Sequence, residues 1–155
     1  EKAKLRAARP QELPAIRALL KSASLPADDL TVDILEAFLV AADGDGRLVG
    51  GVGLELAGEA ALLRSLVVDP ELRGSGLGHA LVAAALELAG ESGVDEVWLL
   101  TTTADRFFER LGWQRVDRAS APAGIRATAE FSTICPASSV CMVRDLQVTL
   151  PGVPV

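Results

Sequence analysis

Residues 62–78, Leu-Leu-Arg-Ser-Leu-Val-Val-Asp-Pro-Glu-Leu-Arg-Gly-Ser-Gly-Leu-Gly, admit few folds. The apolar run 62–68 has the length and branching of a buried strand. Asp69 and Pro70 close it, because proline has no amide to donate and a fixed φ. Gly74, Gly76 and Gly78 follow on alternate positions, and a helical pattern begins at once. Three glycines remove every Cβ from one side of the turn and leave the main-chain amides open. Those amides stand at a helix N-terminus, where unpartnered N–H groups and the macrodipole favour an anion. With Arg73 beside them, the loop reads as a cradle for a pyrophosphate. The plainer reading is a turn that only joins a strand to a helix, and three spaced glycines alone leave both open. A Rossmann dinucleotide site, with Asp95 or Glu96 as the ribose acid, fits less well. Its glycines should sit on the strand end in the pattern G-x-G-x-x-G, whereas these run G-x-G-x-G several residues beyond it. No Gly-Lys-Ser/Thr follows, which excludes a Walker-type loop.

At 155 residues the chain suits a single domain, 1–150, with a short tail at 151–155. Its net charge of −6, without a run of like charge, argues against general nucleic-acid binding, which needs a basic face. An anionic ligand must therefore be held by local arginines and amides. No apolar stretch approaches the roughly eighteen residues of a membrane span, and no leader pattern opens the chain. Two cysteines without a disulfide framework fit a cytoplasmic protein. Cys135 and Cys141 lack a zinc spacing, and the single histidine, His79, follows the glycine loop. No metal is expected.

Periodicity predicts a first strand at 5–9 and a one-faced helix at 11–23, carrying Leu13, Ile16, Leu19 and Leu20. A second helix is predicted beyond Pro26, capped by Asp28 or Asp29 and carrying Leu30, Ile34, Leu35 and Phe38. Asp43-Gly44-Asp45-Gly46 predicts a hairpin joining strands at 38–42 and 48–56. Gly50, Gly51 and Gly53 thin the second of these, for close packing or for ligand room. Further on, the pattern predicts a helix from Leu77 to about residue 90 and a strand at 97–101. A short helix at 104–111, a strand at 113–116, helical spacing at 122–133 and a last strand at 140–146 follow. Strand, crossover helix, strand implies a parallel pair within a mixed sheet.

The loop Arg73-Gly74-Ser75-Gly76-Leu77-Gly78 closely resembles motif A of the GNAT N-acetyltransferases, Arg/Gln-x-x-Gly-x-Gly/Ala. Downstream, Ala104-Asp105-Arg106-Phe107-Phe108-Glu109-Arg110-Leu111-Gly112-Trp113 resembles the family segment Asn-x-x-Ala-x-x-Phe-Tyr-Glu-Lys-x-Gly-Phe. The resemblance implies an α/β (α+β) acyl-CoA N-acyltransferase fold, a mixed sheet of six to seven strands with four to five helices. It implies acetyl-CoA as co-substrate, a small-molecule amine as acceptor, and a homodimer as the common assembly. Leu66, Val67, Val68, Arg73, Gly74, Ser75, Gly76, Leu77, Gly78, Thr101, Ala104, Phe107 and Arg110 would then bind the cofactor. In that family a split in the sheet takes the pantetheine arm, and the main chain near Leu66 or Val67 would polarise the thioester carbonyl.

Two departures bear on the chemistry. Thr101 stands where the family often has asparagine, and Phe108 where many members place the tyrosine that protonates departing coenzyme A. The chain has no tyrosine, and losing a general acid usually costs about 10²–10⁴ in rate. A thiolate can nevertheless leave unprotonated, or take a proton from water, Ser65, a threonine of 101–103 or Cys135. The attacking amine, of pKa about 8–10, needs a base. Glu55 and Glu59 are the nearest carboxylates, and either also reads as a solvated surface acid. Glu55 and Ser65 are thus the candidate catalytic residues. Arg64, inside an apolar strand, either meets an acid or reads an anionic group on the substrate. The second is the expectation carried forward, with Thr102, Thr103 and Arg126 as further substrate contacts.

The stretch 127–142 and the run Leu99-Leu100-Thr101-Thr102-Thr103 resemble the GNAT branch encoded in bacterial arsenic-resistance operons. That implies acetylation of an amino-bearing arsenical, whose anionic group would suit Arg64 or Arg126. Two thiolates would also suit As(III), but lone cysteines are usually buried apolar residues. The alternative in a different class is a catalytically weak acyl-CoA-binding or arsenic-sensing module.

Overall fold

The computed structural model describes residues 3–146, and the tail expected at 151–155 lies outside them. Seven strands are present: β1 Lys4–Ala7, β2 Phe38–Ala42, β3 Leu48–Ala57, β4 Ala60–Val68, β5 Glu96–Thr101, β6 Gln114–Val116 and β7 Val140–Asp145. The α-helices are α1 Leu13–Ser22, α2 Leu77–Glu91, α3 Asp105–Arg110 and α4 Ala123–Arg126, with several 3-10 turns besides. The strands form one mixed sheet in the order β1-β2-β3-β4-β5-β7-β6. Each expected strand is found within two residues at either end. Contacts gather the chain into two compact units, Glu1–Glu55 with Leu63–Leu88, and Leu56–Leu62 with Ala89–Val155.

In the first unit β2 pairs antiparallel with β1 and with β3. The β2–β3 turn closes on Asp43, whose Oδ1 accepts from the amides of Asp45 (3.0 Å) and Arg47 (2.9 Å). The core takes Ile16 and Leu20 from α1, Ala27, Leu30 and Leu35 from the connection after it, and Phe38, Val40 and Val67 from strands. The glycines of β3 serve close packing. A Cβ on Gly50 would lie 3.1 Å from Leu81 Cδ1 and from the Val67 carbonyl, and one on Gly53 only 2.5 Å from the Phe38 ring.

The second helix expected from Leu30 to Phe38 does not form. Its place is taken by turns and the 3-10 segment Ile34–Ala37. Thr31, Val32 and Asp33 are poor helix formers. The Asp29 carboxylate, expected as a cap, is instead bound to Arg64. Burial of Ala27, Leu30 and Leu35 satisfies the apolar pattern without a helix.

The entry to α1 is set by Glu12, whose carboxylate accepts from Arg6 at 2.9 and 2.7 Å and from the Arg9 amide at 2.8 Å. The Arg6 hydrogen bond is the main cause that lowers the Glu12 pKa from 4.5 to about 2. A carboxyl depressed in the folded state stabilises above its unfolded pKa and loses that contribution as pH falls toward its folded one. The stability difference between wild type and Glu12→Gln is therefore expected to hold constant above pH 5. It should shrink between about pH 4.5 and 2, as read from urea midpoints across that range.

In the second unit the first residues of β4 run parallel to β5, from Ala60↔Glu96 to Leu62↔Trp98. β7 pairs antiparallel with β5 and with β6. The core takes Ala60, Leu62, Trp98, Ala121, Ile125, Phe131 and Cys141. The helix expected at 122–133 is broken into α4 and a π-turn, Glu130–Ile134. Thr128 marks the break, where its Oγ1 donates to the Ile125 carbonyl at 2.7 Å, and Arg118 sets the register beyond it. Its guanidinium donates to the carbonyls of Phe131 (2.5 Å) and Pro136 (2.8 Å) and lies 5.5 Å over the Phe131 ring. With the Phe131 carbonyl so engaged, the Cys135 amide donates to Glu130 instead (3.0 Å), the wider spacing of a π-turn.

Candidate functional site

The glycine loop emerges from Asp69, whose carboxylate accepts from the Glu71 amide (3.0 Å) and caps the 3-10 turn Pro70–Leu72. Arg47 donates to the same carboxylate at 3.0 Å. Gly74 and Gly76 then take φ of +83° and +90°, left-handed values that side chains disfavour. A Cβ at either would meet nothing within 4 Å, so backbone conformation, not crowding, requires glycine there. The amides of Arg73 and Ser75 turn inward, to the carbonyls of Pro70 (3.3 Å) and Leu72 (3.1 Å). Not every N–H between Arg73 and Gly78 is bare, as the glycine pattern alone implied. Those of Gly74, Gly76, Gly78 and His79 have no acceptor among the described residues. They stand with exposed Arg73 at the start of the fifteen-residue α2. Unpartnered amides at a long helix N-terminus beside a guanidinium suit a pyrophosphate.

Upstream, β4 breaks its alternation. Ser65 has φ +61°, which is rare for a residue with a side chain. Its Oγ accepts from Nε of the preceding residue, Arg64, at 3.0 Å. Successive side chains of a regular strand point to opposite faces, so this contact depends on the irregular backbone. The Arg64 side chain is 0% exposed. Both its terminal nitrogens bind Asp29, Nη2 at 2.7 Å to Oδ1 and Nη1 to Oδ2. Nη1 also donates to Glu55 Oε2 at 2.8 Å. Of the two roles open to Arg64, it therefore meets acids of its own chain, and the anion-reading expectation is corrected. Arg64 in turn holds the Asp29 carboxyl below its ordinary range, through hydrogen bonding first. Glu55, expected as a base or a solvated acid, is part of this cluster. Leu66 and Val68 are half-buried at the end of β4, while the Val67 side chain belongs to the core.

In the second unit, Thr101 Oγ1 accepts from the Ala104 amide (3.0 Å) and turns the chain into α3. Thr102, Thr103 and Arg110 are exposed, and Ala104 and Phe107 half-buried. Phe108, at the tyrosine position, is buried edge-on against Phe107 and Trp113, with centroids 5.1 and 5.4 Å away. The Arg126 residue is exposed, but its Nε donates to the Ala121 carbonyl at 2.9 Å. That bond ties it to its own loop.

Cys141 is buried, and burial is the main cause that raises its thiol from 9.0 to about 11. Cys135 is half-buried. Native protein at pH 8 is expected to lose Cys135 to iodoacetamide well before Cys141. Peptide mass spectrometry after timed quenching reads the order, and equal rates would contradict it. Among the described residues no group of three His, Cys, Asp or Glu could hold a metal ion, and no helix is long and apolar enough to cross a membrane.

Sequence reasoning named Glu55 and Arg64 separately and missed Asp29 as their companion. The only signal was an acid in a loop beside a run of buried apolar residues.

Residues 35–115 match the family described as "Acetyltransferase (GNAT) domain". A mycothiol acetyltransferase of Clavibacter sepedonicus is 48% identical over 61 residues, 39% of this chain but only 20% of that protein. The chain thus spans about a fifth of that relative's length. An amino-acid acetyltransferase of Mycobacterium tuberculosis is 29% identical over 160 residues, covering 96% of this chain and 88% of the relative. Among solved structures, Rv2747 from Mycobacterium tuberculosis in complex with CoA and NLQ is 26% identical. Its TM-score is 0.78, covering 92% of this chain and 99% of that one.

Proposed function

The chain belongs to the GNAT acetyltransferase family, whose members use acetyl-CoA as co-substrate, and from that premise we propose an N-acetyltransferase acting on a small amine. The observation that carries the reading is the set of amides at Gly74, Gly76 and Gly78, unpartnered among the described residues and opening α2 beside Arg73. These would hold the pyrophosphate of coenzyme A, with Leu66 to Val68 along the pantetheine arm. The CoA found with Rv2747 supports this reading.

In the transfer, an acceptor ammonium first gives a proton to a carboxylate, for which Glu55 is the candidate. The freed lone pair forms the C–N bond at the acetyl carbon while the C–S bond breaks. Coenzyme A leaves as a thiolate and takes a proton from water. No tyrosine is available to give one; the Ser65 hydroxyl accepts from Arg64 and keeps its own proton to donate, which makes it the side-chain alternative to water.

An amino-acid-like acceptor is the preferred class, in keeping with the amino-acid acetyltransferase that aligns along nearly the whole chain. Within it we single out amino-bearing arsenicals, on the character of 127–142 and Leu99 to Thr103. The test is thioester consumption, followed with dithionitrobenzoate, over ordinary amino acids, amino-bearing arsenicals and simple amines. Turnover of an amine supports the enzyme. Tight acetyl-CoA binding without turnover of any amine would instead favour an acyl-CoA-binding or sensing module.

A further inference from the structure

We propose that Asp29 and Arg64 are positioning residues for this transfer. Together they pin one oxygen of Glu55 and leave its other oxygen to receive the acceptor's proton. The inference rests on the acetyltransferase reading above.

Arg64 is fully buried, while the side chains of Asp29 and Glu55 keep 17% and 22% exposure. Asp29 takes both terminal nitrogens of the guanidinium, and this planar fork fixes the direction of the remaining Nη1 proton. That proton goes to Glu55 Oε2 at 2.8 Å, whereas Glu55 Oε1 meets no donor among the described residues. Ser65 Oγ, turned to this side by its left-handed φ, holds the guanidinium from Nε. Asp29 itself is held by its neighbours, since Ala27 and Leu30 are buried and Arg17 donates to the Leu30 carbonyl.

One carboxylate suffices to neutralise one guanidinium. A second adds repulsion between acids at a site where apolar side chains would be as stable. The surplus is negative and lies at the exposed end of the cluster. It attracts an ammonium, the ionic form in which an amine of pKa about 8–10 arrives at neutral pH. The acceptor class assigned to this cluster is therefore a cationic amine, presented nitrogen first.

Steady-state kinetics with the best amine of the panel test the arrangement through Glu55→Gln, the apolar pair Asp29→Leu with Arg64→Met, and the triple variant. The apolar pair removes the clamp without stranding a buried charge. Glu55→Gln is expected to lower kcat by about 10²–10⁴, with acetyl-CoA affinity by calorimetry unchanged. The apolar pair should cause a comparable loss although Glu55 remains. The triple variant should lose no more than the worse of the two, because residues that act as one unit are not additive. Losses that multiply, or a wild-type kcat in the apolar pair, overturn the inference while the acetyltransferase reading stands. A wild-type protein that acetylates no amine overturns both. Should the apolar pair not fold, Asp29→Asn makes the comparison, and Asp29→Glu is expected to recover most of its loss. A wild-type kcat in Asp29→Asn would then be the contrary result.

Discussion

Gly76→Val should weaken acetyl-CoA binding on the order of 100-fold or more, through loss of hydrogen bonds to a charged group worth about 1.5–3 kcal/mol each. The fold should survive. Glycine at position 76 has φ +90° and open space where a Cβ would stand, so valine meets no neighbour. Its cost is local, about 1–2 kcal/mol for a left-handed residue with a side chain. The chain relieves that strain by rotating the peptide out of the left-handed region. The amides around position 76 then no longer converge on one anion. Calorimetric titration with acetyl-CoA reads the affinity, and a thermal melt by circular dichroism reads the fold. An unchanged affinity would remove the cradle from this loop.

Arg64→Met should lower stability by about 3 kcal/mol, the lower end of the range for breaking a buried ion pair. The lower end applies because the carboxylates left behind, Asp29 and Glu55, still reach water with 17% and 22% of their side chains exposed. Adding Asp29→Leu should return part of the loss, since it removes one of the two repelling acids. Removing both acids and keeping Arg64 should be worse than Arg64→Met, because that guanidinium has no access to solvent. Guanidinium chloride unfolding of the three variants ranks these costs. A tolerated loss of both acids would contradict the buried-charge account.

The fold and the cofactor loop were legible for a common reason: both are written in near neighbours. An apolar run closed by Asp69-Pro70, then glycines at 74, 76 and 78 ahead of a helical stripe, specifies strand, turn and helix through local sterics. The strands at 38–42 and 97–101 followed from apolar continuity and turn residues in the same way. Predictions failed where a distant side chain competed with the local pattern. The helix after Pro26 gave way because weak helix formers met an alternative partner for Asp29. The end of the helix expected at 122–133 became a π-turn where Arg118, thirteen residues away, engaged the Phe131 carbonyl. Neither competitor lies within a helical turn of the residue it engaged.

By itself, then, the sequence determined the strands in order, helices α1 to α3 and the glycine loop. All are consequences of backbone preference over a few consecutive residues. Only the tertiary structure decided what Arg64 binds. Glu55 and Arg64 lie nine residues apart on the neighbouring strands β3 and β4, but Asp29 is 35 residues from Arg64, and its arrival depends on the path of a loop held by burial of Leu30, Phe38 and Val67. No rule of spacing encodes such a meeting, because it follows from the packing of the whole unit.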